Sequence, residues 1–431
     1  MTFRYDVDDK PPLIESVFLG IQWFLITIPN IVVPCAILAH FHFGDSTHMH
    51  TIYLQKAFFI TAIMFFLQTF WGHRLPIISG PAIALVVGII SCKGFDVSVI
   101  YTSIILCGVI FALFAMTRVF AKLLLIFTPR VVSVVLILMA FILLPHILNL
   151  IINTNNGVVP ISNIVFSILF LLFIFYINAR FKGVWQNTVI IWAMFLGTIL
   201  YILIFKINFN MSPGAEFNFF SNYFKDLTLH LSFNLGVFLS IFISFVALII
   251  NDIGSVQAFN ELLKLDDQEK RLSRGVVTTG MVNVASGFLG VLGPVNFPNG
   301  AGIVMSTRCA SRYTLLPASF LLFIISFSPA MISILSNIPA VVIGSTFLFI
   351  LCLLISAGFS VMLRSEEVFS FDDGLIIGFP VLIGTFISFL PPDVYNALPK
   401  MLRPILGNGF LMGILIAFVM EHIIYRKRIH K

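Results

Sequence analysis

Long apolar stretches separated by short polar segments occupy the chain from residue 14 to residue 425. A helix that crosses a bilayer needs about 20 apolar residues, and most of these stretches are close to that length. The third and the tenth are too short or too broken to cross as plain helices. The predicted spans are residues 14–40, 52–70, 76–92, 97–116, 129–150, 160–179, 185–206, 232–258, 276–292, 298–307, 313–335, 338–362, 374–391 and 404–425. The pattern therefore predicts an all-α integral membrane protein with about 14 transmembrane segments.

The two short segments, Leu75–Ile90 and Gly290–Arg308, are interrupted by proline and glycine at corresponding places in the two halves of the chain. A proline pair brackets a short extended piece in each, Pro76 and Pro81 in the first and Pro294 and Pro298 in the second. A half-helix is expected to follow each piece, with free N–H groups and a partial positive charge at its start. Broken segments in matching positions are typical of transporters with an internal repeat. The fourteen spans divide into two sets of seven. Because seven is odd, the second set would cross the membrane in the opposite orientation to the first, which predicts a 7+7 inverted repeat.

Composition agrees with a membrane protein and excludes an ordinary soluble domain. Hydrophobic residues make up 59% of the chain and charged residues 10%, and the mean hydropathy is +1.05. Soluble domains average roughly 45–50% and 25% for the same two classes. The five cysteines are scattered through mostly apolar stretches, which indicates packing residues rather than a disulfide framework or a zinc site. No cofactor is expected.

The basic residues indicate the orientation in the membrane, because cytoplasmic loops carry an excess of lysine and arginine. With both termini in the cytoplasm, every basic residue lies inside except Lys56, Lys93, Lys206, Lys225, Lys400 and Arg403. This predicts a cytoplasmic segment 1–13, a basic cytoplasmic tail 426–431 and an external loop at 208–230, in a cell (inner) membrane. The net charge of +6 then reflects topology, and no nucleic-acid partner is expected. The polar N-terminus lacks the apolar stretch of a signal peptide, so the first span is expected to direct insertion.

Asp252 is the acidic residue that the predicted spans place well within an apolar helix. Ionisable groups inside a membrane are rare and usually functional. Asn251 and Ser255 are four residues apart and share a helix face, with Gly254 expected to allow close approach of a neighbour. Asp252 points about 100° away from Asn251. The alternative is that Asp252 lies at the solvated end of a long, tilted helix.

The segment Asn299–Arg308 resembles the signature of the nucleobase/ascorbate transporter family, which includes the xanthine and uracil permeases. Gly302, Thr307 and Arg308 match the signature, whereas its first two positions are occupied here by Asn299 and Gly300. Other similarities are Pro11-Pro12-Leu13 followed by Gln22, Asn251–Ser255 in span 8, and Ile338-Pro339 with Val342 and Gly344 in span 12. The resemblance extends from about residue 11 to residue 425.

The resemblance implies a single membrane transporter unit over 14–425, divided into two domains. Spans 1–4 and 8–11, about 14–116 and 232–335, would form a core domain. Spans 5–7 and 12–14, about 129–206 and 338–425, would form a gate domain. Members of the family bind substrate between spans 3, 8 and 10 and commonly form homodimers through gate-domain spans. The expected protein is a permease and not an enzyme, carrying a nucleobase such as uracil or xanthine with a proton.

The resemblance also implies a set of binding residues. From spans 8 and 10 these are Asn251, Ser255, Phe297, Asn299 and Gly300; from span 1, Gln22; and from span 3, Gly80, Ala82 and Ile83. Asparagine amides can still bind the edge of a base, because each offers a donor and an acceptor. They cannot carry a proton, however, and the two family positions that often hold a titratable or polar side chain are Asn251 and Asn299 here. Asp252 is the nearest candidate for proton coupling.

Two other functions remain open at this stage. The first is a carrier of another small solute or anion on the same fold, attracted by the half-helix N-termini and Arg308. The second is a non-transporting membrane sensor. His40, His42, His48 and His50 cluster in the predicted first external loop, where a solvated loop is favoured over a metal site because Asp45 is the only nearby carboxylate.

Overall fold

The computed structural model describes residues 3–44, 46–117, 128–152, 158–182, 184–187, 189–206, 221, 223, 230–265, 267–297, 300–336, 338–365, 370–399 and 403–425. Most of the predicted external loop at 208–230, the predicted site residue Asn299 and the basic tail 426–431 lie outside these ranges. In chain order the elements are α1 Leu13–Phe43, α2 Thr47–Phe70, β1 Ile78–Pro81, α3 Ile83–Ser91, α4 Val97–Ala115, α5 Pro129–Ile152, α6 Pro160–Arg180, α7 Val184–Asn187, α8 Val189–Phe205, α9 Leu235–Leu263, α10 Gln268–Leu289, β2 Pro294–Phe297, α11 Gly300–Thr307, a 3-10 turn Arg312–Thr314, α12 Leu315–Ser326, α13 Pro329–Ser336, α14 Ala340–Ser365, α15 Phe371–Ser388, α16 Pro392–Ala397, α17 Arg403–Leu406, α18 Gly409–Val419 and a π-helical turn Met420–Ile424.

Within these ranges, 8 helices are long and apolar enough to cross a membrane: α1, α2, α4, α5, α6, α9, α14 and α15. The helix α8 and the segment Gly409–Ile424 are apolar but shorter. The predicted single span at 313–335 differs from the structure, because α12 and α13 meet at an angle of 99°. Proline at the first position of α13 fits the start of a new helix. The mostly helical, multi-span architecture agrees with the predicted class, and the 7+7 repeat stays a prediction.

The strands β1 and β2 form an antiparallel pair that joins the two halves of the chain. Ser79 lies opposite Asn296 in this pair. Pro81 faces Pro294 at its end, where neither residue has an N–H to donate, and the N–H of Ala82 just beyond donates to the main-chain oxygen of Gly293 at 2.9 Å. The short helices α3 and α11 follow the two strands. The predicted arrangement of an extended piece and a half-helix is therefore confirmed at both places.

Small residues let the helices around the strand pair approach closely. A Cβ added to Gly108 of α4 would lie 2.8 Å from the carbonyl oxygen of Gly280 on α10, and the reverse distance would be 2.7 Å. Close backbone approach at small residues is how membrane helices gain packing contacts. The helix α3 packs in the same way on α9, where Gly88 meets Ser244. On the other side of the molecule, α5 packs on α14 and α15.

A buried ion cluster connects three helical segments. Arg130 near the start of α5 contacts Asp373 in the first turn of α15, with 2.8 Å between Nε and Oδ1. Arg130 also contacts Glu421 in the π-helical turn, with 3.2 Å between Nη1 and Oε1. The three side chains are at most 9% exposed. From the sequence, Arg130 indicated only the orientation of the chain in the membrane, and its two buried partners were not predicted.

The N-terminal segment packs against the chain that follows α11. Tyr5 forms a parallel bridge with Cys309. Asp8 pairs with Arg312, with 2.8 Å between Oδ1 and Nη2. The N-terminal segment therefore lies on the same side of the helices as the end of α11.

Candidate functional site

A cavity of about 510 Å³ lies between two groups of helices. One wall is formed by α1, α3, α9 and the strand pair, and the other by α5, α8 and α14. Small-molecule sites in proteins have volumes of roughly 300–1,000 Å³. Among the described residues that line the cavity none is charged, and the polar side chains are Asn30, Asn251, Ser255 and Ser360. The cavity therefore suits a small molecule that makes a few hydrogen bonds.

Two polar residues of α9 lie beside β2 in the cavity wall. Asn251 and Ser255 are one helical turn apart, as their spacing predicted, and both border the cavity. The Ser255 hydroxyl donates to the main-chain oxygen of Asn296 at 2.8 Å, and Asn251 Nδ2 lies 3.5 Å from the same oxygen. Because 3.5 Å is at the limit of a hydrogen bond, the Asn251 amide keeps most of its donor and acceptor capacity for a ligand.

Asp252 is fully buried, with an exposed fraction of 0%, and is not among the residues that line the cavity. Its Oδ2 accepts a hydrogen bond from the Thr279 hydroxyl on α10 at 2.8 Å. Its Oδ1 accepts from the main-chain N–H of Asn296 at 3.3 Å and from the side-chain amide of the same residue. The alternative position at a solvated helix end is therefore excluded. Such a buried carboxyl group is tolerated because it is hydrogen-bonded.

Asn296 connects Asp252 to the cavity wall. Its N–H and amide contact Asp252, while its main-chain oxygen accepts from Ser255. Its Oδ1 accepts from the Ser79 hydroxyl of β1 at 2.6 Å. The fully buried side chain is thus held by α9 and by β1 at once. Asn296 therefore links Asp252 to Ser255 in the cavity wall.

Three further predicted site residues, Ala82, Ile83 and Phe297, line the cavity. No side chain caps α3. The N–H of Ala82 donates to the main-chain oxygen of Gly293 at 2.9 Å, so the first N–H of this half-helix that can serve a ligand is that of Ile83. Gly80 is not itself a lining residue, but it precedes Pro81 of the lining in β1. A Cβ at Gly80 would be 3.0 Å from Phe297 Cε2 and 3.6 Å from Asn30 Cβ. Glycine is therefore required there for close packing of β1 on its neighbours.

Gly300 and Gln22, two predicted site residues that the structure describes, do not line the cavity. Gly300 packs against the Trp23 side chain at the start of α11. Gln22 lies outside the cavity lining, and its Nε2 is buried with no hydrogen-bond partner in the described part of the chain. Asn299 is not among the described residues. Gly254 also differs from expectation, because nothing lies within 4 Å of a Cβ there and the residue borders the cavity instead of a neighbouring helix.

Asn30 on α1 lines the cavity and was not predicted from the sequence. Its Nδ2 donates to the main-chain oxygen of Ile26 at 3.1 Å. The signal that could have identified it is a polar residue between Pro29 and Pro34 in the middle of the first apolar stretch.

The histidines near the end of α1 contact aromatic residues. His42 Nε2 lies 3.4 Å from the Tyr101 hydroxyl, which is 3.2 Å from the hydroxyl of Tyr53. Over the described residues, no three His, Cys, Asp or Glu side chains are grouped so that they could hold a metal ion.

The chain matches a permease family over most of its length. The model of this family, the xanthine/uracil permeases, matches residues 14–393. The nucleobase transporter PlUacP of Paenibacillus larvae is 24% identical over 374 residues, which cover 84% of this chain and 82% of that protein. The uric acid permease PucJ of Bacillus subtilis is 24% identical over 363 residues, covering 82% and 79%. A xanthine permease of Bacillus subtilis is 23% identical over 418 residues, covering 94% and 93%.

Solved structures of transporters share the fold. The transmembrane domain of the cyanobacterial bicarbonate transporter BicA superposes with a TM-score of 0.62 at 14% identity, covering 89% of this chain and 98% of that one. The murine anion transporter Slc26a9 superposes with a TM-score of 0.58 at 12% identity, covering 96% and 69%. At these identities the likeness concerns the fold alone.

Proposed function

The chain belongs to the xanthine/uracil permease family, whose members are membrane permeases and not enzymes, and on this premise we propose that it carries a nucleobase such as uracil or xanthine. We propose further that transport is secondary active, coupled to a proton and carried out by alternating access. The relatives named above are transporters of nucleobases, uric acid or xanthine.

The observation that best supports a nucleobase is the amide-bearing wall of the uncharged cavity. The amide of Asn251 offers a donor and an acceptor, which match the N–H and C=O groups of a lactam edge. We propose that Asn299, the residue before Gly300 in the sequence, supplies a second amide. Apolar side chains such as Phe297 and Phe347 would pack on the faces of the ring. Arg308, on which an anion carrier would rely, is not among the described residues that line the cavity.

The position of the cavity supports alternating access. Its two walls come from the predicted core, which contributes α1, α3, α9 and the strands, and from the predicted gate, which contributes α5, α8 and α14. Rocking of one group against the other would open the cavity to each side of the membrane in turn. Ser360 is the only polar side chain that the described gate residues contribute to the lining, so the gate can slide past the ligand without breaking many hydrogen bonds.

We propose that Asp252 couples the proton to the substrate through Asn296. An ionised Asp252 accepts hydrogen bonds from Asn296 and Thr279. A protonated Asp252 has to donate one, and Thr279 can adapt because its hydroxyl also lies 3.0 Å from the oxygen of Gly275. The change in hydrogen bonding would shift Asn296 and, with it, the positions of Asn251 and Ser255 in the cavity wall.

The predicted setting in the membrane is part of this proposal. The protein would reside in the inner membrane with both termini in the cytoplasm, as the basic residues indicate. Large apolar side chains on the outer faces of α6 and α15, such as Leu169 and Phe386, are more than 60% exposed. Lipid would cover most of them, and a second copy of the chain would cover the rest in a homodimer.

Uptake of labelled uracil and xanthine into cells that express the protein tests the proposal. The variant Asn251→Ala is expected to lower the affinity for the accepted base about 5- to 150-fold, because a desolvated hydrogen bond is lost at a cost of about 1–3 kcal/mol. Gln257→Ala is the matched control, since this amide lies on the same helix but is exposed. Binding of a base without uptake would favour the membrane sensor, and no effect of Asn251→Ala would place the site elsewhere.

The variant Gly80→Val is expected to weaken binding of the accepted base roughly tenfold, or by about 1.4 kcal/mol. Its side chain would displace Phe297, whose Cε2 would lie only 3.0 Å from the new Cβ. Gly378→Val is the control, because nothing lies within 4 Å of a Cβ at that glycine. Equilibrium binding to the purified variants measures the difference, and equal affinities of both variants would contradict the proposed role of β1.

A further inference from the structure

The first helix carries a break in its hydrogen-bonding pattern at the level of the cavity. In a regular helix the carbonyl of residue 30 would accept from the N–H of residue 34. Residue 34 is proline, which has no N–H, and it lies inside α1. Both Asn30 and Pro34 line the cavity. The main-chain oxygen of Asn30 is therefore left without its helical donor beside the ligand space.

The side chain of Asn30 adds a second acceptor at the same place. Its Nδ2 is used by the hydrogen bond to the oxygen of Ile26, at 3.1 Å. Its Oδ1 has no hydrogen bond within the described part of the chain and can accept one from a ligand. Gly80 of β1 lies beside this part of α1, because a Cβ there would be 3.6 Å from the Asn30 Cβ and 3.7 Å from its main-chain oxygen.

The charge of the surroundings favours an uncharged ligand. The described residues of the cavity lining include no cation, and the buried carboxyl group of Asp252 is next to Asn251 in sequence. An anion would lose its hydration here without gaining a counter-ion, which is unfavourable in an apolar setting.

We propose that Asn30 is a specificity-determining residue that accepts hydrogen bonds from ring N–H groups, so that the site binds uncharged bases and rejects their anions. This inference rests on the proposed nucleobase transport and defines the substrate class of that site. A base that loses a ring proton becomes anionic and presents a lone pair where Asn30 needs a donor. A site built around buried acceptors discriminates strongly against a ligand without the matching donor.

Binding to the purified protein at neutral pH tests the inference with three kinds of ligand. They are uracil and xanthine, their N-methyl derivatives, in which a ring N–H is replaced, and urate, an oxopurine that is an anion at this pH. The wild-type protein is expected to bind the better of uracil and xanthine about 5- to 150-fold more tightly than at least one of its N-methyl derivatives. Binding of urate is expected to be weaker by a similar or larger factor.

Two variants locate the effect at Asn30. Asn30→Ala removes the side-chain acceptor. Pro34→Ala restores an N–H that donates to the main-chain oxygen of Asn30, so that this oxygen is no longer free to accept from a ligand. Each is expected to reduce the preference for the unmethylated base several-fold. Pro34→Ala also serves as a check on folding, because replacing proline inside a helix with alanine favours the helix. Ile21→Ala is the control, since this residue is exposed on the same helix and should leave the preference unchanged.

The outcomes separate this inference from the proposed function. If the wild-type protein binds urate as tightly as the neutral bases, or if both variants keep the wild-type preference, the inference is wrong while nucleobase binding stands. If none of uracil, xanthine and urate binds, both the proposed function and this inference are wrong.

Discussion

Replacing Asp252 with asparagine is expected to abolish accumulation of the substrate while leaving its exchange across the membrane intact. An amide cannot bind and release a proton in this pH range. For one proton per substrate, a pH difference of one unit supports about a tenfold accumulation. The Asp252→Asn variant should bring the substrate only to equal concentrations on both sides.

The hydrogen bonds around Asp252 explain why this variant should still fold. Asparagine keeps one oxygen to accept from Asn296, and its amide can donate to the Thr279 hydroxyl. That hydroxyl then donates to the oxygen of Gly275, which already lies 3.0 Å away. No buried polar group has to lose its partner, so the substitution tests coupling and not stability.

Uptake into proteoliposomes with an imposed pH gradient measures accumulation, and counterflow with unlabelled substrate measures exchange. Asp267→Asn is the control, because this carboxylate is 50% exposed and pairs with Arg271 at the start of α10. Accumulation by the Asp252→Asn variant at the wild-type ratio would exclude Asp252 from coupling. A wild-type protein that never exceeds equal concentrations would exclude coupling altogether.

Replacing Arg130 with leucine is expected to destabilise the protein by about 3–5 kcal/mol. The substitution leaves the carboxylates of Asp373 and Glu421 buried without their cation, and these side chains are only 1% and 8% exposed. Because the cluster connects α5, α15 and the π-helical turn, the loss should appear as a lower Tm and a larger aggregated fraction. Thermal unfolding in detergent, followed by size-exclusion chromatography, measures both.

Two further variants separate charge from general disruption. Arg274→Leu removes an exposed arginine on α10 and should leave the Tm unchanged. Adding Asp373→Asn and Glu421→Gln to Arg130→Leu should recover part of the loss, since no unpaired charge then remains buried. A Tm of Arg130→Leu equal to that of Arg274→Leu would contradict a stabilising role for the cluster.

The sequence predicted the parts of the fold that depend on local chemistry. Paired prolines marked both extended pieces, and the spacing of Asn251 and Ser255 placed them on one face. The bend between α12 and α13 was missed, because an apolar stretch at 313–335 has the composition of a single span whether or not it is straight. The Arg130 cluster was missed because Arg130 and Glu421 are 291 residues apart.

The candidate site was predictable only in part for the same reason. The resemblance assigned Gln22 to the ligand, whereas Asn30 is the polar residue of α1 that lines the cavity. The two positions are eight residues apart, which separates them by about two turns and about 80° around the helix. Which turn of α1 meets the cavity depends on how α1 packs against β1. The sequence of α1 alone does not contain that information.

The pairing of β1 with β2 also constrains how the protein matures during synthesis. Ser79 enters the membrane long before its partner Asn296, which is 217 residues later in the chain. Until then the polar backbone of β1 has no strand to pair with, and unsatisfied groups at this depth cost several kcal/mol each. We therefore expect the first half to complete its packing only after the second half has been inserted. The ligand cavity is consequently among the last features of the protein to form, and any chain terminated before Pro294 would lack it.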